Sequence, residues 1–201
     1  MLEHDTEAVG AAVPGHYGAA GTGLTLEPAT VAAAWNVHAR LERGAIAEKV
    51  EQLFGVALPR VPNTYVRTEA LCALWLGPES WLLIAGGESP LSAFEEKRDA
   101  LNAQGGALFD WSASRCAWRI AGVRAATVLN KGCPLDFDPR AFPANGCAQS
   151  VLGHVNALFR RDHESSFTVM VARSYARDAW GFLCSSAASY GYDVLPATSM
   201  R

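Results

Sequence analysis

The apolar positions of this chain switch between a period of two and a period of about 3.6, and those switches set the order of its elements. In "AAAWNVHARL", Trp35, Val37, Ala39 and Leu41 alternate with Asn36, His38 and Arg40, which predicts a strand. "GAIAEKVEQLFG" spaces Ile46, Val50, Leu53 and Phe54 along one helical stripe that Gly55 stops. "ALPRVPNTY" is a loop broken by proline. The runs "LCALWL" and "SWLLIA", joined by "GPE", predict a hairpin. "ESPLSAFEEKRDALNAQGG" predicts a helix with Ser89 as N-cap and Pro90 at its first position. Leu91, Phe94 and Leu101 lie on one side of it, and Gly105-Gly106 ends it. "ALFDWS" is a further strand, so residues 34–112 read β-α-β-β-α-β.

The order recurs in the second half. "CAWRIA" is a strand, and "GVRAATVLNKG" is a helix with Ala125, Val128 and Leu129 inward. "CAQSVLG" and "NALFRR" form a strand pair bent near Gly153, and "SFTVMVA" alternates Phe167, Val169 and Val171. "RSYARDAWGFLCSSAASYG" is a helix with Ala176, Ala179, Trp180, Leu183 and Ala187 on one face, and "YDVLP" adds a short strand. The expected fold class is α+β, built from two intertwined split β-α-β, ferredoxin-like subunits. Residues 1–23 read as a flexible N-terminal tail, 24–112 as the first β-α-β-β-α-β unit and 113–201 as the second α+β unit, the two packed as one globular domain.

Composition narrows the functional classes. A chain of 201 residues, 50% hydrophobic and 18% charged, can bury a core without metal or disulfide. A net charge of −3 with no run of like charges argues against nucleic acid or an anionic membrane as partner. The first residues lack the apolar core of a signal peptide, and no window has the ~20 apolar residues of a membrane span. Cys72, Cys116, Cys133, Cys147 and Cys184 are odd in number and scattered, which indicates a reduced, cytoplasmic setting. Nucleotide-binding glycine loops, a nucleophile elbow, HExxH and CxxC are all missing from the sequence.

The densest cluster of reactive residue types is "NKGCPLDFDPRAFP", Asn130–Pro143. Cys133 follows a helix C-terminus, whose negative end disfavours a thiolate, so a small buried hydrophobe is expected there. Asp136 and Asp138 sit two apart in extended chain and point to opposite sides; Asp138 with Pro139 reads as the cap of a single turn. Lys131 and Gly132 are expected to close the preceding helix through charge and left-handed tolerance. A metal set of Cys133, Cys147, His154 and His163 lacks the close ligand pairs that structural zinc needs. Asp110 is a turn cap or a ligand carboxylate. The six tryptophans read as core with some interface anchors, and Arg160, Arg161, Arg173 and Arg177 as a polar rim or solvated face.

Three runs carry a resemblance. "LGPESWLLI" (Leu76–Ile84), "WRIAGVRAATVLNKGCPLDFDPRAFPANGCAQSVLG" (Trp118–Gly153) and "VARSYARDAWGFL" (Val171–Leu183) are similar to the gamma-subunit family of heterotetrameric sarcosine oxidase. The matching positions include Gly77, Pro78 and Trp81, then Lys131 to Asp136, Pro139, Arg140, Phe142, Gly146 to Gln149, and Arg173 to Ala176 with Trp180. The resemblance implies a complex that demethylates sarcosine to glycine with oxygen, forming hydrogen peroxide and, with tetrahydrofolate, 5,10-methylenetetrahydrofolate. It implies alpha, beta and delta subunits as partners, and FAD, FMN, NAD, zinc and tetrahydrofolate on those subunits. This chain is then expected to hold no catalytic, cofactor-binding or metal residue, and its fold to resemble the folate-binding domains of the aminomethyltransferase superfamily. A related N-methylglutamate dehydrogenase complex leaves the substrate open. A stand-alone folate-binding or one-carbon-transfer protein is the alternative.

Overall fold

Short apolar runs bounded by Gly, Pro and Asn make this a strand-rich chain, and the strands sort into two sheets. A computed structural model describes residues 13–21, 23–40, 44–85 and 93–200. In order, the elements are β1 (Gly15–Tyr17), β2 (Leu24–Thr30), β3 (Ala33–His38), α1 (Gly44–Phe54), β4 (Tyr65–Arg67), β5 (Leu71–Gly77), β6 (Ser80–Ala85), α2 (Phe94–Asn102) and β7 (Ala107–Asp110). There follow β8 (Arg115–Gly122), α3 (Ala125–Leu129), β9 (Cys147–Leu152), β10 (Val155–His163), β11 (Ser166–Ala172), α4 (Ala176–Ala187), β12 (Tyr192–Val194) and β13 (Thr198–Ser199).

The chain divides into two compact units. One comprises the described residues up to Ala29 with Cys116–Ala144 and Gln149–Thr198; the other comprises those of Thr30–Arg115 with Asn145–Ala148 and the last described residues.

In the second of these, the sheet order is β4-β5-β6-β3-β7, with every pairing antiparallel. Without the short edge strand β4, this is the 2-3-1-4 order of a β-α-β-β-α-β ferredoxin-like unit, as the periodicity predicts. The stripe Ile46, Val50 and Phe54 of α1 and Leu101 of α2 pack with Trp35, Val37, Ala73, Trp81 and Leu83 into one core. Trp35 meets Phe54 and Phe94 edge-on, with centroids 6.1 and 5.0 Å away. The expected alternation in β3 fails at Asn36, which is fully buried, as are Cys72, Leu74 and Leu82 on the same face. Asn36 Nδ2 meets its desolvation cost by donating to the Trp81 carbonyl at 2.9 Å and Ser80 Oγ at 3.0 Å. The cap expected at Ser89-Pro90 and the inward Leu91 and Leu41 lie outside the described residues. Among those described, α2 begins after Ala93, which adopts φ 56°.

In the other unit the order is β1-β12-β2-β8-β11-β10-β9, with β13 added beside β2. Strands β8, β10, β11 and β12 and helices α3 and α4 lie where the second-half pattern predicts them. The boundary near residue 24 is different from the expected one. Leu24–Thr30 forms β2, inserted between β12 and β8, so it joins the second-half sheet rather than residues 34–112. Leu24 and Leu26 alternate with Thr25 and Glu27, but Pro28 cuts the run short; it lies beyond the two-residue ladder to β12 at Thr25 and Leu26. The expected tail is ordered in part, because Gly15–Tyr17 pairs with β12. Leu24 approaches Gly122 so closely that a Cβ on Gly122, already at φ 121°, would lie 1.6 Å from the Gly23 carbonyl oxygen. Glycine is required there.

Candidate functional site

The crossover 130–143 is held from both ends. At its start, Gly132 does not adopt the left-handed conformation expected of a helix-stopping glycine. Its need for glycine is close approach: a Cβ there would lie 2.2 Å from Cζ of Phe182 and 2.9 Å from the Gly153 nitrogen. The Gly153 N–H donates to the Gly132 carbonyl at 2.8 Å, so two backbones touch beneath one ring. Lys131 also serves another helix than the one it follows. Its Nζ donates to the Ser186 carbonyl at 2.5 Å and lies 4.6 Å above the Tyr190 ring, which places its charge at the negative end of α4. Gly132→Ala should therefore destabilise the chain by about 1–3 kcal/mol through overpacking. Urea denaturation measures this, and a change under about 0.5 kcal/mol would show that Phe182 can swing aside.

The middle of the crossover is built on consecutive caps. The Asp138 N–H donates to Asp136 Oδ1 at 2.9 Å, and the Arg140 N–H to Asp138 Oδ1 at 3.0 Å. Asp138 is thus the expected turn cap, and its carbonyl also accepts from Ala141 and Phe142. The Arg140 side chain and N–H hold the Asp138 carboxyl below its ordinary range. Phe137, between the caps, and Phe142, after them, enter the core, where Phe137 meets Phe142, Phe159 and Phe167 with centroids 5.1 to 5.6 Å apart. Cys133 is buried, and burial pushes its thiol up, as it does those of Cys116 and Cys184.

Two arginines lie where the sequence pattern does not predict them. Arg160 and Arg161, expected on a rim or solvated face, are 2% and 1% exposed. Being adjacent on β10, they point to opposite faces of the sheet. Arg161 opposes Phe167 in the ladder, and its guanidinium lies 4.6 Å above that ring. It donates to the carbonyls of Phe137 and Glu164, joining the crossover to the β10–β11 turn. Burial lowers its pKa, against the opposing fields of Asp138 and Glu164. Arg173 is half-buried, and Arg177 is exposed as expected.

Arg160 begins a polar row across the other face. Its Nε donates to Asp162 Oδ1 at 2.6 Å, and Thr168 Oγ1 donates to Asp162 Oδ2 at 2.6 Å. Arg119 Nε stands 3.9 Å from Asp162 Oδ2, and its Nη1 donates to Glu27 Oε2 at 3.1 Å. The Thr198 hydroxyl donates to Glu27 Oε1. Two guanidinium groups thus face two carboxylates, so the row is neutral. Buried charges matched within one network hold strands in register.

The other candidates separate. Asp110 is a turn cap, accepting from the Ser112 N–H at 2.9 Å and its hydroxyl at 2.6 Å. Cys147 directs its thiol at the carbonyls of Thr64 and Trp75, 3.2 and 3.6 Å away, while His154 and His163 are exposed. Among the described residues, no three His, Cys, Asp or Glu side chains converge as metal ligands, and no helix is long and apolar enough to cross a membrane.

The sarcosine oxidase gamma subunits of Corynebacterium sp. (strain P-1) and Arthrobacter sp. are 34% and 36% identical to the chain over 65% and 58% of its length. The matches span 62% and 57% of those relatives' own lengths. Among solved structures, a chain of the heterotetrameric sarcosine oxidase from Corynebacterium sp. U-96 has a TM-score of 0.76 at 26% identity, covering 92% of this chain and 91% of that one. The glycine cleavage system aminomethyltransferase T from Bartonella henselae, at 14% identity and TM-score 0.58, covers 88% of this chain and 48% of that one; it shares the fold alone. The family model described as sarcosine oxidase, gamma subunit, matches residues 40–189, and the chain belongs to that family.

Proposed function

We propose that this chain is a non-catalytic subunit of a heterotetrameric, cytoplasmic sarcosine oxidase. The carrying observation is its likeness, over 92% of its length, to a chain of the solved heterotetrameric enzyme. Two features of the chain support the reading. The charges of the Arg160–Asp162–Arg119–Glu27 row neutralise one another, and the thiols of Cys116, Cys133 and Cys184 are pushed up by burial, away from the thiolate a nucleophile needs. The oxidation of sarcosine to glycine, with hydrogen peroxide and 5,10-methylenetetrahydrofolate as products, belongs in this reading to the assembly. FAD, FMN, NAD, zinc and tetrahydrofolate sit on the alpha, beta and delta subunits.

The chain's part is shape. Phe137 and Phe142 anchor the crossover while Pro134, Asp136, Pro139 and Arg140 remain exposed, which presents a stiff outer surface to a partner. Co-expressed with the other three subunits, the chain should copurify with them in equal amounts, and purified alone it should be colourless. A stoichiometric flavin on the isolated chain would overturn the reading. Tight tetrahydrofolate binding by that chain in calorimetry would replace it with a stand-alone one-carbon protein.

A further inference from the structure

His16, on the outermost strand of its sheet, has an acceptor at each ring nitrogen. Nδ1 lies 2.8 Å from Asp193 Oδ1 and Nε2 lies 3.0 Å from the Ala19 carbonyl oxygen. A neutral imidazole carries one N–H, so it satisfies one of these contacts and turns a lone pair on the other; only the imidazolium donates to both.

The segment around His16 is fitted to its seat. The Ala19 N–H donates to the Ala188 carbonyl at 2.9 Å, and the Tyr17 ring stacks on Tyr192 with centroids 5.6 Å apart. A Cβ on Gly18 would lie 2.4 Å from the Ala188 carbonyl oxygen, and one on Gly21 2.0 Å from that of Tyr190. Both glycines let the backbone lie against the turn between α4 and β12. The hold is nevertheless short. β1 pairs with β12 through three residues, Gly15 with Val194, His16 with Asp193 and Tyr17 with Tyr192, and all three of its own residues are exposed. Such an edge belongs to the least stable part of a fold.

We propose that Val13–Gly21 is a proton-gated strap, seated along the outer edge of β12 while His16 carries both ring protons and released when it loses one. The titratable group facing His16 is Asp193 from β12; on the opposite face of β1, Tyr17 stacks on Tyr192, which is hydrogen-bonded to Cys184 of α4. Asp193 raises the His16 pKa, and the Ala19 carbonyl adds to the effect. A pKa raised by docking makes the strap fully stabilised below the ordinary histidine value of about 6.5, and that support disappears as pH climbs through the raised value. Release leaves Tyr192–Val194 with an open ladder edge, the kind of surface that accepts a strand from another chain.

Amide hydrogen exchange followed by NMR on the full chain, corrected for intrinsic rates, tests this from about pH 5.5 to about pH 8.5. Protection of the Ala19 amide should fall by up to about tenfold per pH unit through the His16 titration. Asp193→Asn should move that midpoint down, and His16→Gln should flatten the profile at the wild-type high-pH level. The Leu195 amide, which donates to the Leu26 carbonyl, should stay protected throughout. A flat Ala19 profile in the wild type, an unchanged profile in His16→Gln, or Leu195 lost together with Ala19 would each overturn the strap.

Discussion

Arg161→Ala is expected to cost about 3–5 kcal/mol of stability, because it removes a buried cation together with the volume it fills. The guanidinium lies over Phe167 and donates to the carbonyls of Phe137 and Glu164, so its loss leaves the buried Phe137 carbonyl without that donor and frees the exposed turn at Glu164. The damage should start at the crossover, where the Phe142 amide, donating to the Asp138 carbonyl at 2.8 Å, should lose hydrogen-exchange protection before the strands do. Arg161→Met separates the two causes. Methionine keeps most of the contact with Phe142 and Phe167 but donates nothing, so its cost should fall between that of alanine and the wild type. Urea denaturation of the three proteins decides it. A cost under about 1 kcal/mol for Arg161→Ala would place the crossover's anchorage in the phenylalanine cluster alone.

What the sequence showed and hid follows from local and nonlocal causes. The helix stripe of Ile46, Val50 and Phe54, the hairpin around Gly77-Pro78 and the cap at Asp138 depend on residues close in the chain, and these were legible. Arg160 and Arg161 were not. Two adjacent charges in a strand ordinarily mark a solvated edge, since burying both requires that both faces of the sheet be covered. That condition depends on residues far apart in the chain: Glu27 from β2 pairs Arg119, 92 residues on, and Asp162 links Arg119 to Arg160. The same nonlocality explains Lys131, whose Nζ caps a helix at the carbonyl of Ser186, 55 residues further on. Gly132 has the local pattern of a helix stop for a related reason, since the ring that forbids its Cβ belongs to Phe182. β2 is hidden because its alternation, Leu24 and Leu26 against Thr25 and Glu27, spans only four residues before Pro28, a residue that argues against a strand.

Asp162→Asn should be about as damaging as the loss of Arg161, again about 3–5 kcal/mol. Asp162 is the anion between two cations: Oδ1 accepts from Arg160 Nε at 2.6 Å, and Arg119 Nε lies 3.9 Å from Oδ2. An asparagine offers one oxygen where the carboxylate offered two, and its amide N–H groups would face either a guanidinium or the Thr168 hydroxyl that now donates to Oδ2. Two cations would then share the single carboxylate of Glu27 inside the protein. The cause is charge imbalance, so it should be reversible by a second substitution. Arg160→Met with Asp162→Leu removes one charge of each sign and leaves the Arg119–Glu27 pair intact, at similar side-chain volume. That double variant should be more stable than Asp162→Asn, and more stable than Arg160→Met alone. In a double-mutant cycle over Arg160→Met and Asp162→Leu, the coupling energy should reach about 1–3 kcal/mol in the favourable sense. If the two losses simply add, the row is a set of independent hydrogen bonds, and the register of β2, β8, β11 and β10 rests on their backbone ladders alone.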